Sequence, residues 1–176
     1  FSIPNQVLVK TKHQIRNSSI NEPLKREIRL IKHTTGAPGL RFLGLGPFCI
    51  PTNGLKKLKN LLDLNTSWAK GRDENQLKIM LANSDVVITL WNCNKLIGFG
   101  RATSDYSFRA VLWDIVVTDD LQGYGYGKLI VNNLLDSKAI KKANKIYLMT
   151  TKSSYFYQQL GFKIVENQNL MLLEKL

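Results

Sequence analysis

The sequence predicts a mixed α/β (α+β) fold: a central, mostly antiparallel sheet with helices on its faces. Three features carry that expectation. Two short apolar runs, Asp85–Trp91 and Leu96–Thr103, flank the polar turn Asn92-Cys93-Asn94-Lys95 and read as a hairpin. Leu55, Leu58, Leu61 and Leu62 recur at helical spacing. From Leu112 to Leu135 an apolar run passes into a glycine-rich turn and then into a second helical pattern. With 176 residues the chain has room for one domain with a proper core, expected over 24–176.

Phe1–Pro23 is polar and basic without a sustained period, which predicts a poorly ordered extension. Lys25–His33 alternates and suits an edge strand. Thr34–Gly39 is a turn, and Leu40–Phe48 is a second strand candidate that Gly44, Gly46 and Pro47 weaken. Asn53 is placed to cap the first helix and Asp73 the second, whose apolar side is Leu77, Met80 and Leu81. After the hairpin, Ser104–Ser107 turns the chain into the strand Phe108–Thr118. Beyond the glycine turn, Ile130/Leu134 and Val131/Leu135 pair as on a helix. Lys145–Thr150 reads as a strand, Ser153–Leu160 as a short helix and Gln168–Leu176 as a terminal strand. The order is β-β-α-α-β-β-β-α-β-α-β.

The turn is Gln122-Gly123-Tyr124-Gly125-Tyr126-Gly127-Lys128. Strand, glycine loop, helix is an order that builds an anion site. Glycines let backbone approach a ligand closely, and a helix's first N–H groups lack internal partners. Those donors and the helix dipole suit a phosphate. The dinucleotide fingerprint G-x-G-x-x-G fails, because Lys128 or Ile130 stands where its third glycine belongs, and Leu129 after Lys128 breaks the P-loop pattern. Within the preceding strand, Asp114 is costly unless paired or functional. On strict alternation Leu112, Asp114 and Val116 share a face opposite Trp113, Ile115 and Val117. A partly desolvated carboxylate there is a candidate general base, and a salt bridge is its structural alternative. His13 and His33 read as surface residues, and no metal-ligand spacing occurs.

The pattern that does fit is Gln/Arg-x-x-Gly-x-Gly/Ala, met by Gln122, Gly125 and Gly127. Downstream, Phe156-Tyr157-Gln158-Gln159-Leu160-Gly161-Phe162 is similar to an "FYxxLGF" signature. With these two motifs in order, the stretch from about Val86 to Glu174 resembles the GNAT N-acetyltransferase superfamily. Thr52–Arg72 further resembles its plastid and cyanobacterial branch, close to plant serotonin N-acetyltransferases. The resemblance implies a GNAT-like sheet with a glycine-loop CoA site, acetyl-CoA as cosubstrate and no metal. It implies that Gln122, Gly123, Tyr124, Gly125, Tyr126, Gly127 and Lys128 hold the pyrophosphate. Ile115, Val116 and Val117 would bond the pantetheine arm through their backbone, and Tyr157 would be the general acid. A packing role is the structural alternative for Tyr157. A backbone N–H of the same strand would polarise the thioester carbonyl. The implied reaction is direct acetyl transfer to a primary amine: a protein lysine, an N-terminal amine, or an arylalkylamine such as serotonin. The alternative is a non-catalytic CoA-binding or protein-interaction module on the same fold.

Composition adds partners and compartment. The net charge is +12, and residues 1–33 hold seven Lys/Arg against Glu22 and Glu27. Such a balance attracts polyanions, so the basic arm is a candidate dock for an acidic protein or a nucleoprotein. Solubility and affinity for anionic CoA are the plainer explanations. No recognised nucleic-acid motif accompanies the charge. No apolar run is long enough to span a membrane. Cys49 and Cys93, without metal or disulfide spacing, suit a reducing compartment. The chain begins at Phe1 rather than Met and carries no signal-peptide pattern. Plastid stroma is the expected location, otherwise cytoplasm, and the expected assembly is a monomer or homodimer.

Overall fold

The computed structural model describes residues 3–9 and 27–175. Its elements are β1 (Asn5–Leu8), β2 (Ile28–His33), α1 (Pro38–Leu43), α2 (Gly54–Asn65), α3 (Glu74–Ala82), β3 (Val86–Asn92), β4 (Lys95–Ser104), β5 (Arg109–Val117), α4 (Tyr126–Leu135), β6 (Lys145–Tyr147) and α5 (Ser154–Gln158). The six strands form one sheet in the order β1-β2-β3-β4-β5-β6. All neighbours are antiparallel except β5 and β6, which run parallel. Among the described residues no helix is long and apolar enough to cross a membrane.

Both faces of the sheet are covered. One core joins Ile28, Leu30, Ile88, Leu90, Leu112 and Val117 to Ile130, Val131 and Leu134 of α4. The other joins Ile31, Val87, Trp91, Phe99 and Val116 to Leu40 of α1, Leu58 and Leu62 of α2, and Leu77 and Leu81 of α3. Each fully buried Leu or Ile contributes roughly 1.5–3 kcal/mol of transfer free energy, so these two layers dominate the stability. The pairing of the sheet also corrects one expectation. β2 is an interior strand, because β1 pairs along its outer side and Ile28, Leu30 and Ile31 are buried on opposite faces. The extension expected over 1–23 includes a strand at Asn5–Leu8; residues 10–23 of it lie outside the described residues, as does His13.

The expected strand Leu40–Phe48 is instead α1 followed by irregular chain. Pro38 in the first turn presets a helical φ. Gly44, at φ +60°, closes the helix by a left-handed residue. Phe48 and Cys49 also have positive φ, which no regular strand tolerates. α2 and α3 lie where the leucine spacing predicts. Asp73 caps α3 through a capping box, accepting from the Gln76 N–H at 2.8 Å while the Gln76 side chain accepts from the Asp73 N–H at 3.0 Å. Asn53 does not cap α2: it sits at φ +55° and makes no side-chain hydrogen bond to the helix. The glycine after it matters more, since a Cβ on Gly54 would lie 2.7 Å from Leu40 Cδ1.

β5 contains a bulge. Phe99 pairs with Val116 and Arg101 with Trp113, so Asp114 and Ile115 together oppose Gly100. Asp114 takes φ +51°. The extra residue breaks the alternation that placed Leu112, Asp114 and Val116 on one face. Leu112 joins the α4 core, Val116 the α1–α3 core, and Ile115 packs near Gly100 on the α4 side. The terminal strand expected over 168–176 is absent from 168–175, where Leu170–Leu173 are 79–90% exposed. β6 spans only three residues and offers such a segment few ladder partners.

Candidate active site

The glycine loop stands between the end of β5 and α4. Gly123 and Gly125 lie at φ +81° and +84°, with nothing near the position of a Cβ. Their glycine character answers the backbone conformation rather than crowding. Gly125 is the N-cap residue of α4, no side chain caps the helix, and no acidic residue stands in its first turn. Four N–H groups at a helix start have no internal acceptors, so an anion has both donors and dipole available here. Lys128 is exposed on that first turn. Tyr124 is exposed, whereas Tyr126 is buried in the α4 core, so the tyrosines of the loop differ in role. The Gln122 side chain folds back, its Nε2 donating to Asp119 Oδ1 at 2.8 Å and to the Val117 carbonyl at 3.4 Å, which braces the loop against β5.

Beside the loop, β5 and β6 part. Their pairing covers Arg109–Val111 with Lys145–Tyr147 and stops there. Among the described residues, β5 from Leu112 to Val117 has no strand on its β6 side. An open strand edge is a row of backbone donors and acceptors that an extended ligand can join. Ile115, Val116 and Val117 lie along that edge, directly before the loop. At its end Thr118 is buried, and its Oγ1 has no hydrogen-bond partner among the described residues. An open edge, an orphaned hydroxyl and an uncapped helix start fit an extended, phosphorylated ligand such as CoA.

Tyr157 is brought to this same end of the molecule by α5. A Cβ on Gly127 would meet Phe156 Cζ at 3.3 Å, so α5 rests on the first turn of α4 with glycine as the contact point. The Tyr157 ring packs edge-on against Phe156 and Phe162, centroids 4.9 and 5.8 Å away. Burial pushes the phenol above its usual range, so it holds its proton through neutral pH.

Asp114 is paired and its carboxylate buried. Its side chain is 4% exposed, and its carboxylate lies between two guanidinium groups, 2.7 Å from Arg101 Nε and 3.1 Å from an Arg72 nitrogen. Both oxygens are engaged. The bulge supplies the geometry: it turns Asp114 onto the face of Arg101, whose partner Trp113 also donates from its indole to Thr103 at 2.9 Å. Arg101, Arg72 and Thr118 did not stand out in the sequence as site residues. A cation inside the apolar run Leu96–Ala102, beside an anion in the next strand, is the signal that pairs Arg101 with Asp114. Arg72 sits in an ordinary loop, where no pattern marks it.

His33 is no plain surface residue. Its Nε2 lies 2.8 Å from Thr89 Oγ1, which also accepts from Trp91 Nε1 at 2.8 Å. Burial lowers its pKa to about 4. It borders a small apolar cavity of about 130 Å³ beneath α1, on the side of the sheet away from α4. Among the described residues no group of His, Cys, Asp and Glu could hold a metal ion.

Comparison with known proteins bears on the same region. Residues 82–164 match the acetyltransferase (GNAT) domain. The chain is 37% identical over 113 residues to the uncharacterised N-acetyltransferase ycf52 of Pyropia yezoensis, covering 61% of this chain and 64% of that protein, a little under two thirds of it. It is 32% identical over 155 residues to the ycf52 protein of Gracilaria tenuistipitata, covering 84% and 82%. Over 70 residues it is 41% identical to the chloroplastic GCN5-related N-acetyltransferase 2 of Arabidopsis thaliana, covering 39% and 27%. A GNAT family acetyltransferase structure from Streptococcus pneumoniae superposes with a TM-score of 0.58 at 20% identity, over 69% of this chain and 91% of that one. This last likeness is one of fold.

Proposed function

The chain belongs to the GNAT acetyltransferase family, and from that premise we propose that it transfers an acetyl group directly from acetyl-CoA to a primary amine. One observation carries the proposal: the open edge of β5 runs into an uncapped helix start, and α5, which carries Tyr157, rests on that same turn through Phe156. Residues 24–176 form the proposed catalytic domain. The loop Gln122–Lys128 would hold the pyrophosphate, and the backbone of Ile115, Val116 and Val117 the pantetheine arm. Within the loop, Gly123, Gly125 and Gly127 would contribute backbone approach, Lys128 charge and Tyr124 an exposed ring. Gln122 and Tyr126 would act by bracing. Acetyl-CoA would supply the activated carbonyl, and a backbone N–H of β5 would polarise it.

Tyr157 would give its hydroxyl proton to the departing sulfur and recover one from solvent. Asp114 changes place in this scheme. With both oxygens on arginines it is proposed to fix the bulge and to tie the α2–α3 connection, through Arg72, to the site. Water would then accept the proton of the amine. The acceptor is a protein lysine, an N-terminal amine, or an arylalkylamine such as serotonin. A plastid location is proposed from the chloroplastic relative. Labelled acetyl-CoA incubated with a panel of lysine peptides, free α-amines and aromatic amines tests the reading. Transfer to none of them, with CoA bound normally in calorimetry, would leave a binding module as the better description.

A further inference from the structure

The end of the sheet opposite the glycine loop carries a second concentration of charge. Lys138, Lys141 and Lys142 lie in the connection between α4 and β6, Lys145 opens β6, and all four are exposed. That connection winds as helical turns: the Ile140 and Lys141 N–H groups both donate to the Ser137 carbonyl, and Ala143 N–H to the Ile140 carbonyl. Ala139 and Ile140 turn inward and are buried. Lys138, Lys141 and Lys142, three and four residues apart counted from Lys138, therefore line the outer side of these turns, and Lys145 opens β6 after them. None of the four forms an ion pair among the described residues.

The tip of the β4–β5 hairpin is fastened to this lysine row. Ser104 Oγ donates to the Ala139 carbonyl at 2.7 Å, and the Asn144 and Lys145 N–H groups donate to the Ser107 and Phe108 carbonyls at 3.3 and 3.0 Å. Arg109 is the register partner of Lys145 and is exposed as well. The tip presents two aromatic rings, Tyr106 at 51% and Phe108 at 66% exposure. Tyr106 is held by its hydroxyl, which donates to Asp85 Oδ1 at 2.6 Å. The nearby carboxylates are committed or peripheral. Asp105 accepts from the backbone N–H groups of Ser107, Phe108 and Arg109, and Asp85 from Ser104 N–H and Tyr106. Asp136 precedes the row.

We propose that this surface, Lys138, Lys141, Lys142, Lys145 and Arg109 beside the ring of Phe108, binds single-stranded nucleic acid. Lysines track a phosphate backbone, and an exposed ring accepts an unstacked base. The tip is otherwise polar, built of Ser104, Asp105 and Ser107, and so resists burial in lipid. β5 separates this surface from the glycine loop by roughly 25 Å, at about 3.3 Å per residue, so the two sites can be filled together. The inference does not depend on the acetyl-transfer reading.

Fluorescence anisotropy with an oligouridylate and an oligothymidylate of about 20 nucleotides, over a salt series, tests it. The intact chain should bind in the micromolar range at low salt; an absence of binding overturns the proposal. Changing Lys138, Lys141, Lys142 and Lys145 to Gln should flatten the slope of log K against log salt by about 0.7 for each phosphate no longer neutralised. Should that variant fail to fold, Lys141→Gln with Lys142→Gln should give half the change. An equal loss on changing Lys56, Lys70, Lys95 and Lys175 to Gln, exposed lysines elsewhere, would reduce the effect to net charge and overturn the proposal. So would an unaltered slope in the first variant, which points to the basic N-terminal arm. Phe108→Ala should weaken binding roughly five- to 150-fold with the slope kept. No change there, or tighter binding to phosphatidylglycerol vesicles than to either oligonucleotide, refutes the stacking site.

Discussion

Replacing Asp114 by Asn separates a base from a strut. Asn keeps the size of Asp and tolerates the positive φ at the bulge, so the backbone is not the thing perturbed. What is lost is the charge between Arg101, 14% exposed, and Arg72, 30% exposed. Removing one member of a buried ion pair costs about 3–5 kcal/mol, because the remaining charge stays desolvated. Arg72 can turn toward water, so its share is small, and a total of about 2–4 kcal/mol is expected. For a chain of this size that lowers Tm by roughly 5–15 °C. Urea denaturation gives the stability, and steady-state turnover across pH gives the chemistry. A strut predicts that turnover falls by a similar factor at every pH, since the bulge relaxes regardless of protonation. A base predicts a small change in stability and a loss greatest at low pH, recovering where the acceptor amine deprotonates unaided. That second pattern, with a stability loss under about 0.5 kcal/mol, would refute the reading of Asp114 as a strut.

Three further expectations bear on the site and the fold. Tyr157→Phe should lower single-turnover acetyl transfer by roughly 10²–10⁴ with CoA affinity nearly kept, and a wild-type rate would remove Tyr157 from the mechanism. The raised phenol pKa adds that activity should persist through neutral pH and fall only above the ordinary tyrosine range, as a pH–rate profile will show. Gly125→Ala forces a Cβ into φ +84°, which costs about 1–2 kcal/mol or moves the loop; calorimetry should find CoA binding weakened, and unchanged affinity would discount the loop. His33 is neutral in the fold with a pKa near 4 against 6.5 in the unfolded chain, so the unfolded state takes up the proton first. Stability is thus complete above pH 6.5 and is lost as pH falls through 4, by up to roughly 3 kcal/mol. His33→Gln should show no such loss between those limits in urea titrations; an equal loss would assign it to other groups.

Much of the architecture was legible because its signals are local. Leucine spacing marks α2, Asp73 marks the start of α3, and the turn at Asn92–Lys95 marks the β3–β4 hairpin. Positive-φ glycines announce the loop before α4. The failures have more than one cause. Whether Lys25–His33 is an edge strand is decided by β1, from the far side of a segment with no period. Whether Leu40–Phe48 extends or coils was decided by Pro38 and Gly44 together, and Phe48 then took a conformation no apolar pattern suggests. The apolar run Leu170–Leu173 has strand composition, but a strand exists only with a neighbour.

The bulge in β5 shows why the site was harder to read than the loop. A period of two is the strongest inference a strand allows, and a single inserted residue reverses it for everything beyond. Placing Asp114 with Leu112 left its carboxylate with two readings, a general base or a salt bridge. Shifted by one residue, the same carboxylate faces Arg101 and meets Arg72, and the cost of burying it is offset by two cations. The shift also sends Ile115 to the α4 side and Val116 to the α1–α3 side, the reverse of strict alternation. Deleting Ile115 should therefore return Asp114 to the α4 face and break its contacts with Arg101 and Arg72, a loss of stability that urea denaturation will read.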